Sequence, residues 1–187
     1  MAEQHDHLTP RVREFIEAQR MFFVGTAAAD GRVNVSPKGN DSLRILGPNE
    51  IIWLNGTGSG NETAAHLLRV NRMTLMWCAF EGKPWIVRTY GPASMTQPGD
   101  PGWDWLVEYF PPKLGARQVF RQTIDLVQTS CGFGVPLYSY VDDRDLMDQW
   151  AQKKGPEGLS AYQREKNVAS IDGFPTGLRQ APSADAG

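Results

Sequence analysis

Three glycines spaced two apart, Gly56, Gly58 and Gly60, separate a short apolar run, Ile51-Ile52-Trp53-Leu54, from a stretch with Ala64, Ala65, Leu67 and Leu68 at helical spacing. A β-branched and aromatic run fits a strand and the later spacing fits a helix, so the segment reads as strand, flexible turn, helix. Thr57, Ser59, Asn61 and Thr63 place hydroxyl and amide groups in and just beyond this turn. Free N–H groups and the dipole at a helix head favour an anion, and glycines such as Gly60 let a phosphate approach the backbone. Ser59 and Glu62 have the spacing of a capping box, which predicts that each satisfies a backbone N–H of the other's residue. The turn therefore serves either a bound phosphate or a capped helix with no ligand.

Two common phosphate loops do not fit. A Walker loop needs Gly-Lys-Ser/Thr at the helix start, and this chain has Gly60-Asn61-Glu62. A dinucleotide fingerprint needs a third glycine where Asn61 stands, although Glu81 falls at the distance of a ribose-binding acid. The runs Arg72 to Phe80 and Pro84 to Tyr90 are joined only by Glu81-Gly82-Lys83, which suits an antiparallel hairpin and is too short for a parallel crossover. A doubly wound sheet is excluded on that ground.

A second chemical cluster is Ser36-Pro37-Lys38-Gly39. Pro37 has no N–H for a ladder, so its strand ends or lies at an edge there, leaving Ser36 and Lys38 at a sheet opening. They form a ligand rim, or else Lys38 is a solvated lysine in a turn. No side chain has the setting of a general acid or base. His66 has no carboxylate or second histidine at paired spacing and reads as a core or surface histidine, while His5 and His7 sit in a polar start.

These residues are positioned by many short, turn-bounded elements. Thr9-Pro10 opens a helix with Val12, Phe15 and Ile16 on one face. Met21 to Ala29 and Arg32 to Pro37 form a strand pair around Asp30-Gly31, and Asp41 to Leu46 pairs with Glu50 to Leu54 around Gly47-Pro48-Asn49. With the hairpin at Gly82 this makes about six strands in the first half, the pattern of a small closed antiparallel barrel. Pro101 to Phe110 reads as a helix, Gly115 to Ser130 as one further long strand, and Asp142 to Lys154 and Gly158 to Asn167 as two helices. The loop Cys131 to Tyr138 is apolar enough that it must pack on a second subunit, a ring-shaped ligand or the chain's own core.

At 187 residues, 41% hydrophobic and 21% charged, the chain has the make-up of one ordinary globular domain, expected over residues 1–175, with a disordered tail at 176–187. A net charge of -2 and the lack of any basic run exclude nucleic acid as an expected partner. No apolar stretch is long enough to span a bilayer and the start is polar, so no membrane is expected and the cytoplasm is the expected compartment. Cys78 and Cys131, the two cysteines, lack metal-ligand spacing and are expected to be free thiols, with no metal site.

Taken together, Val33-Asn-Val-Ser-Pro-Lys38-Gly, the glycine turn to Asn61-Glu62-Thr63, and Trp85-Ile-Val-Arg88-Thr-Tyr-Gly91 resemble the pyridoxamine 5'-phosphate oxidase-like flavoprotein family. The resemblance runs from about Met21 to Met95 and touches Cys131 to Tyr138 and Asn167 to Pro175, as in a flavin-binding subgroup of that family. It implies a six-stranded antiparallel split β-barrel with flanking helices, mainly β (α+β) in class. It also implies a homodimer binding FMN between its subunits. By that resemblance Ser36 and Lys38 run along the flavin, and Thr57, Ser59, Gly60, Asn61 and Thr63 lie by its phosphate. Arg88 stands on a strand close to the cofactor or serves as a surface ion-pair partner, and Trp103 and Phe133 are candidates to reach the partner's cofactor. The oxidase proper carries adjacent arginine and lysine at the helix head, where this chain has Glu62-Thr63, and the chain lacks the oxidase's substrate-gripping end. The expected function is thus a flavin-dependent oxidoreductase on some small molecule other than pyridoxamine phosphate. The alternatives are a non-catalytic flavin carrier or sensor, or a relative using a deazaflavin or haem.

Overall fold

The computed structural model describes residues 2–179. In chain order its elements are β1 (Glu3–His5), α1 (Pro10–Glu17), β2 (Phe22–Thr26), β3 (Asn34–Lys38), β4 (Leu43–Gly47), β5 (Glu50–Gly56) and α2 (Glu62–Arg69). There follow β6 (Met73–Cys78), β7 (Trp85–Gly91), β8 (Ala93–Thr96), α3 (Trp103–Val107), β9 (Ala116–Thr123), β10 (Leu126–Cys131) and α4 (Leu146–Lys166). All strand pairing is antiparallel, in a six-stranded sheet ordered β1-β10-β7-β6-β2-β3 and a four-stranded sheet ordered β4-β5-β9-β8.

The six strands expected in the first half are β2 to β7. Two readings are corrected. No ladder of hydrogen bonds closes the two sheets into one barrel among the described residues. The long strand expected over 115–130 is also two strands, β9 and β10, in different sheets. The chain turns between them at Ile124 and Asp125, whose N–H groups donate to Asn49 O (2.8 Å) and Tyr90 O (3.0 Å). No glycine or proline marks this crossing, and the apolar pattern runs straight through it.

The two sheets are held by packing and by a buried polar stitch. Gln122 on β9 accepts from Thr89 Oγ1 (2.7 Å) and donates to Met73 O (2.8 Å), joining the four-stranded sheet to β7 and β6. Where β7 leads into β8, a Cβ on Gly91 would lie 1.9 Å from Thr123 O, so only glycine fits. Strand β5 is buried on both faces. Ile51 and Trp53 enter the main core with Phe22, Leu75, Trp77 and Phe120, while Ile52 and Leu54 enter a second core with Leu106, Phe110 and Val119. Trp53 stacks on Phe120 with centroids 4.6 Å apart.

Local chemistry accounts for the flanking helices. Thr9 caps α1 by accepting from Val12 N (3.3 Å), and Pro10 follows at the first helical position. Helix α4 merges the two expected C-terminal helices across a break at Gly155 (φ 65, ψ 173), followed by Pro156. Beyond it the chain folds back over the head of α2. Thr176, assigned to the tail on sequence grounds, is fully buried and donates to Asn167 O (2.6 Å), and Arg179 pairs with Asp100. The rest of the expected tail, residues 180–187, lies outside the described residues.

Candidate functional site

Strand β3 is an edge strand whose polarity is inverted. In its ladder with β2, Asn34 pairs with Thr26, Ser36 with Val24 and Lys38 with Phe22. Directly opposed residues share a face, so these three polar side chains lie on the side of the buried Val24 and Phe22. Val33 and Val35 take the outer face, 72% and 65% exposed.

The inner row of β3 opens on a cavity of about 860 Å³. Ser36 and Lys38 form one wall, the backbone from Gly58 to Thr63 a second, and Arg117 on β9 a third. Lys113, Met147 and Lys166 close one side, and Ala169 to Ile171 lie across the helix head. The chain thus brings together Ser36, Lys38, Ser59, Gly60, Asn61 and Thr63 from the candidates read in the sequence.

Four other candidates do not line the cavity of their own chain. Thr57 is buried with its hydroxyl committed, donating to Gly115 O (2.8 Å) and accepting from Gln163 Nε2 (2.7 Å). Arg88 donates to Ser130 Oγ (3.2 Å) on β10. Trp103 packs on the second core, and Phe133 is 82% exposed in the apolar loop.

The expected capping box is absent. Helix α2 begins at Glu62 with Asn61 as its cap residue, and the Asn61 side chain makes no capping bond to the first turn. Asn61 Nδ2 instead donates to Asn167 O (3.3 Å), Asn167 Nδ2 donates to Gly58 O (2.9 Å), and the Glu62 carboxylate accepts from Ile171 N (3.1 Å). Contacts from the returning C-terminal segment displace the local box. The carboxylate that a capping box would have turned onto Ser59 N is held away by Ile171. A Cβ at Gly58 would meet nothing within 4 Å, so the backbone there is bare toward the cavity and not crowded by the chain's own packing.

The electrostatics rest on two cations without acids. Lys113 is paired with Asp148 and Lys166 with Glu165, both at 2.8 Å. Lys38 and Arg117 have no salt-bridge partner among the described residues. Lys38 is half-buried with Nζ 5.2 Å from the Trp53 ring centroid. Burial, and then repulsion from Arg117, draws its pKa from the usual lysine range to about 8. Arg117 is 3% exposed and burial lowers it to about 10, so it stays charged near neutral pH. Its Nη2 donates to Gly60 O (3.0 Å), while Nε and Nη1 have no partner.

Sequence reasoning misses Arg117 because it sits in a strand with no motif around it. Its only signal is a charged residue within the run Ala116 to Phe120, otherwise bound for the core.

His66 is the core histidine of the two readings, 1% exposed with Nδ1 3.1 Å from Thr26 Oγ1. Cys78 is buried, Cys131 exposed, and the two are unbonded. Among the described residues no cluster of three or more His, Cys, Asp or Glu could hold a metal ion, and no helix is long and apolar enough to cross a membrane.

Two packed antiparallel sheets with a helix inserted after β5 define the split-barrel class. The model of the pyridoxamine 5'-phosphate oxidase family matches residues 8–131, and the chain belongs to that family. The pyridoxamine 5'-phosphate oxidase family protein ustO of Aspergillus flavus is 35% identical over 195 residues, spanning 95% of this chain and 78% of that protein. A Lactobacillus delbrueckii structure described as a candidate pyridoxamine 5'-phosphate oxidase matches with TM-score 0.53 at 21% identity, over 66% of this chain and 94% of that one. A single-residue variant of HupZ from Group A Streptococcus matches with TM-score 0.53 at 15% identity, over 66% of this chain and 99% of that one. The two structures share the fold. The family match stops at Cys131, so the wall supplied by α4 and residues 169–171 lies beyond it.

Proposed function

We propose that the chain binds FMN in this cavity and acts, as a homodimer, as a flavin-dependent oxidoreductase on a small molecule. One observation carries the reading: a single cavity joins the polar row of β3 to the turn that enters α2 and holds two cations, Lys38 and Arg117, that no acid neutralises among the described residues. Two cations that share a cavity with no acidic partner favour a bound anion, and a phosphate monoester carries a charge of about −2 at neutral pH.

The residues fit the group. Gly58 to Thr63 would take the phosphate end, with the unpartnered N–H groups of Arg117, and Ser36 and Lys38 would lie along the ring. FMN supplies one- and two-electron chemistry, and the protein's share is orientation, charge and exclusion of water. A cation beside the ring favours its reduced anionic form, which is the role available to Lys38. No histidine, cysteine or tyrosine lines the cavity among the described residues, and Met147, which does, holds haem iron only beside a histidine, so the lining favours flavin over haem.

The inverted polarity of β3 supports the dimer. Val33 and Val35 form an exposed apolar row on a sheet edge, and Phe133, Leu137 and Val141 expose a second apolar surface. A second copy covering these would bury them. The two unbonded cysteines fit the reducing cytoplasm.

A second reading, a non-catalytic flavin carrier or sensor, is favoured by the tie from Ile171 N to Glu62, the one acid of the wall among the described residues. The first test is the visible absorbance of gently purified protein, before and after FMN and then a reductant. A flavin spectrum that bleaches and recovers in air, with turnover of a reduced nicotinamide and an electron acceptor, supports the oxidoreductase. A flavin spectrum without turnover supports the carrier. A colourless protein that ignores FMN removes both.

A further inference from the structure

We infer that Arg117, from strand β9, is the residue that selects a phosphate-terminated ligand in this cavity, doing from across the wall what a cation at the helix head would otherwise do. The inference rests on the flavin-nucleotide reading above, but its core, an anion site at Arg117, can be tested without a flavin.

The helix head of this chain carries no cation. Its first residues are Asn61, Glu62 and Thr63, and Glu62 adds a negative charge to the cavity wall. Backbone N–H groups alone would bind phosphate weakly against that charge. The compensating charge comes from a strand 56 residues downstream of Asn61 by sequence number, and three facts set it there for a ligand. Arg117 is 3% exposed, so its charge is not spent on water. It has no acidic partner among the described residues, so its charge is not spent on the protein. Two of its three nitrogens, Nε and Nη1, have no acceptor, whereas a buried arginine is ordinarily fully bonded.

The third nitrogen defines the direction. Arg117 Nη2 donates to Gly60 O at 3.0 Å, which anchors the guanidinium against the turn immediately before α2. The planar fork is thereby fixed at Gly60, two residues before the first residue of α2, with donors left over. A tetrahedral oxyanion can accept from the fork and from the helix N-terminus together. Riboflavin, which ends in a hydroxyl, gains neither the charge nor the second set of bonds.

A purely structural Arg117, present only to hold Gly60, is the competing account, and the test separates them. Arg117→Gln keeps an N–H donor for Gly60 O and removes the charge; Arg117→Lys keeps the charge and loses the fork. Dissociation constants for FMN and riboflavin are measured on wild type and both variants by flavin fluorescence. The expected result is an FMN affinity about 10- to 100-fold weaker in Arg117→Gln, the range of a charged hydrogen bond, with riboflavin changed less than about threefold and Arg117→Lys in between. Equal loss of FMN and riboflavin overturns the inference, because it is the mark of a disturbed turn.

Inorganic phosphate gives the independent arm. It should compete with FMN in the wild type and raise the melting temperature of the wild type more than that of Arg117→Gln. If phosphate stabilises the two equally, or does not displace FMN, the inference fails even should the variant fold poorly. If neither flavin binds but phosphate protects the wild type selectively, the flavin reading fails and the anion site at Arg117 stands.

Discussion

Lys38 shares its cavity with Arg117, and the guanidinium's charge adds to burial in drawing the lysine down to about 8. The two residues are 79 positions apart by sequence number, on an edge strand of one sheet and a central strand of the other. The fold therefore keeps a repulsion that a site built only for stability would not contain, as binding sites commonly do.

Replacing Lys38 should separate stability from binding. Lys38→Met retains an unbranched chain over Trp53 and removes the charge. Thermal unfolding without added flavin should show stabilisation of about 1 kcal/mol, or a few degrees, while FMN affinity falls about tenfold or more. A variant that loses stability and keeps its FMN affinity would return Lys38 to the ordinary surface lysines.

The same residue sets a pH dependence. Its folded pKa of about 8 lies below the unfolded value of 10.5, so Lys38 disfavours the folded state at and below pH about 8. That penalty is relieved as pH rises from about 8 toward 10.5. FMN binding follows the opposite course, since a charged amine donates the stronger hydrogen bond to the flavin. Titrations from about pH 6.5 to about 9.5 should show affinity level at low pH and falling above about 8, and Lys38→Met should flatten the curve.

Glu62 should act against the phosphate. Its carboxylate lines the cavity and accepts from Ile171 N. Glu62→Gln keeps an acceptor for that N–H and removes a like charge, so FMN should bind a few-fold more tightly with riboflavin unchanged. Removing an acid from the first helical turn should cost about 0.3–1 kcal/mol of stability in thermal melts.

Asn167 ties the returning chain to the helix head. It is fully buried, donates to Gly58 O, and its main-chain carbonyl accepts from Asn61 Nδ2 and Thr176 Oγ1. Asn167→Ala leaves the Gly58 carbonyl without its donor and should destabilise the fold by about 1–3 kcal/mol in denaturant melts. Hydrogen exchange should speed up at residues 58–62 first, since these lose their tether.

The outer row of β3 tests the proposed dimer. Val35→Asp places a charge on a face that is already exposed in one chain, so the monomer fold should stand. Light scattering after size exclusion should then read a monomer where the wild type reads a dimer. An unchanged mass would move the interface elsewhere.

Much of the fold is legible because it is written locally. Thr9-Pro10 starts α1, Gly82 turns β6 into β7, and alternating residues mark β2 and β3. Ser36 and Lys38 are legible because Pro37 confines its strand to a sheet edge, and Gly60 to Thr63 because a glycine turn precedes a helix. The capping box misleads for the converse reason. A local pattern states which bonds the side chains can make, but Asn167 and Ile171, more than a hundred residues away by number, make the bonds instead.

What the sequence by itself determined is the antiparallel strands β2 to β7, the strand–turn–helix over Glu50 to Asn71, and the two polar clusters that line the cavity. The tertiary structure alone decided that β9 and β10 part into different sheets, that the row bearing Lys38 faces inward, and that Arg117 meets Gly60. The reason is that local backbone preference and side-chain period act within a few residues, whereas the position of a charge relative to a distant turn depends on sheet order and register. Those are set by burial of the whole core, through residues such as Trp53 and Phe120, and carry no mark in the residues around Arg117.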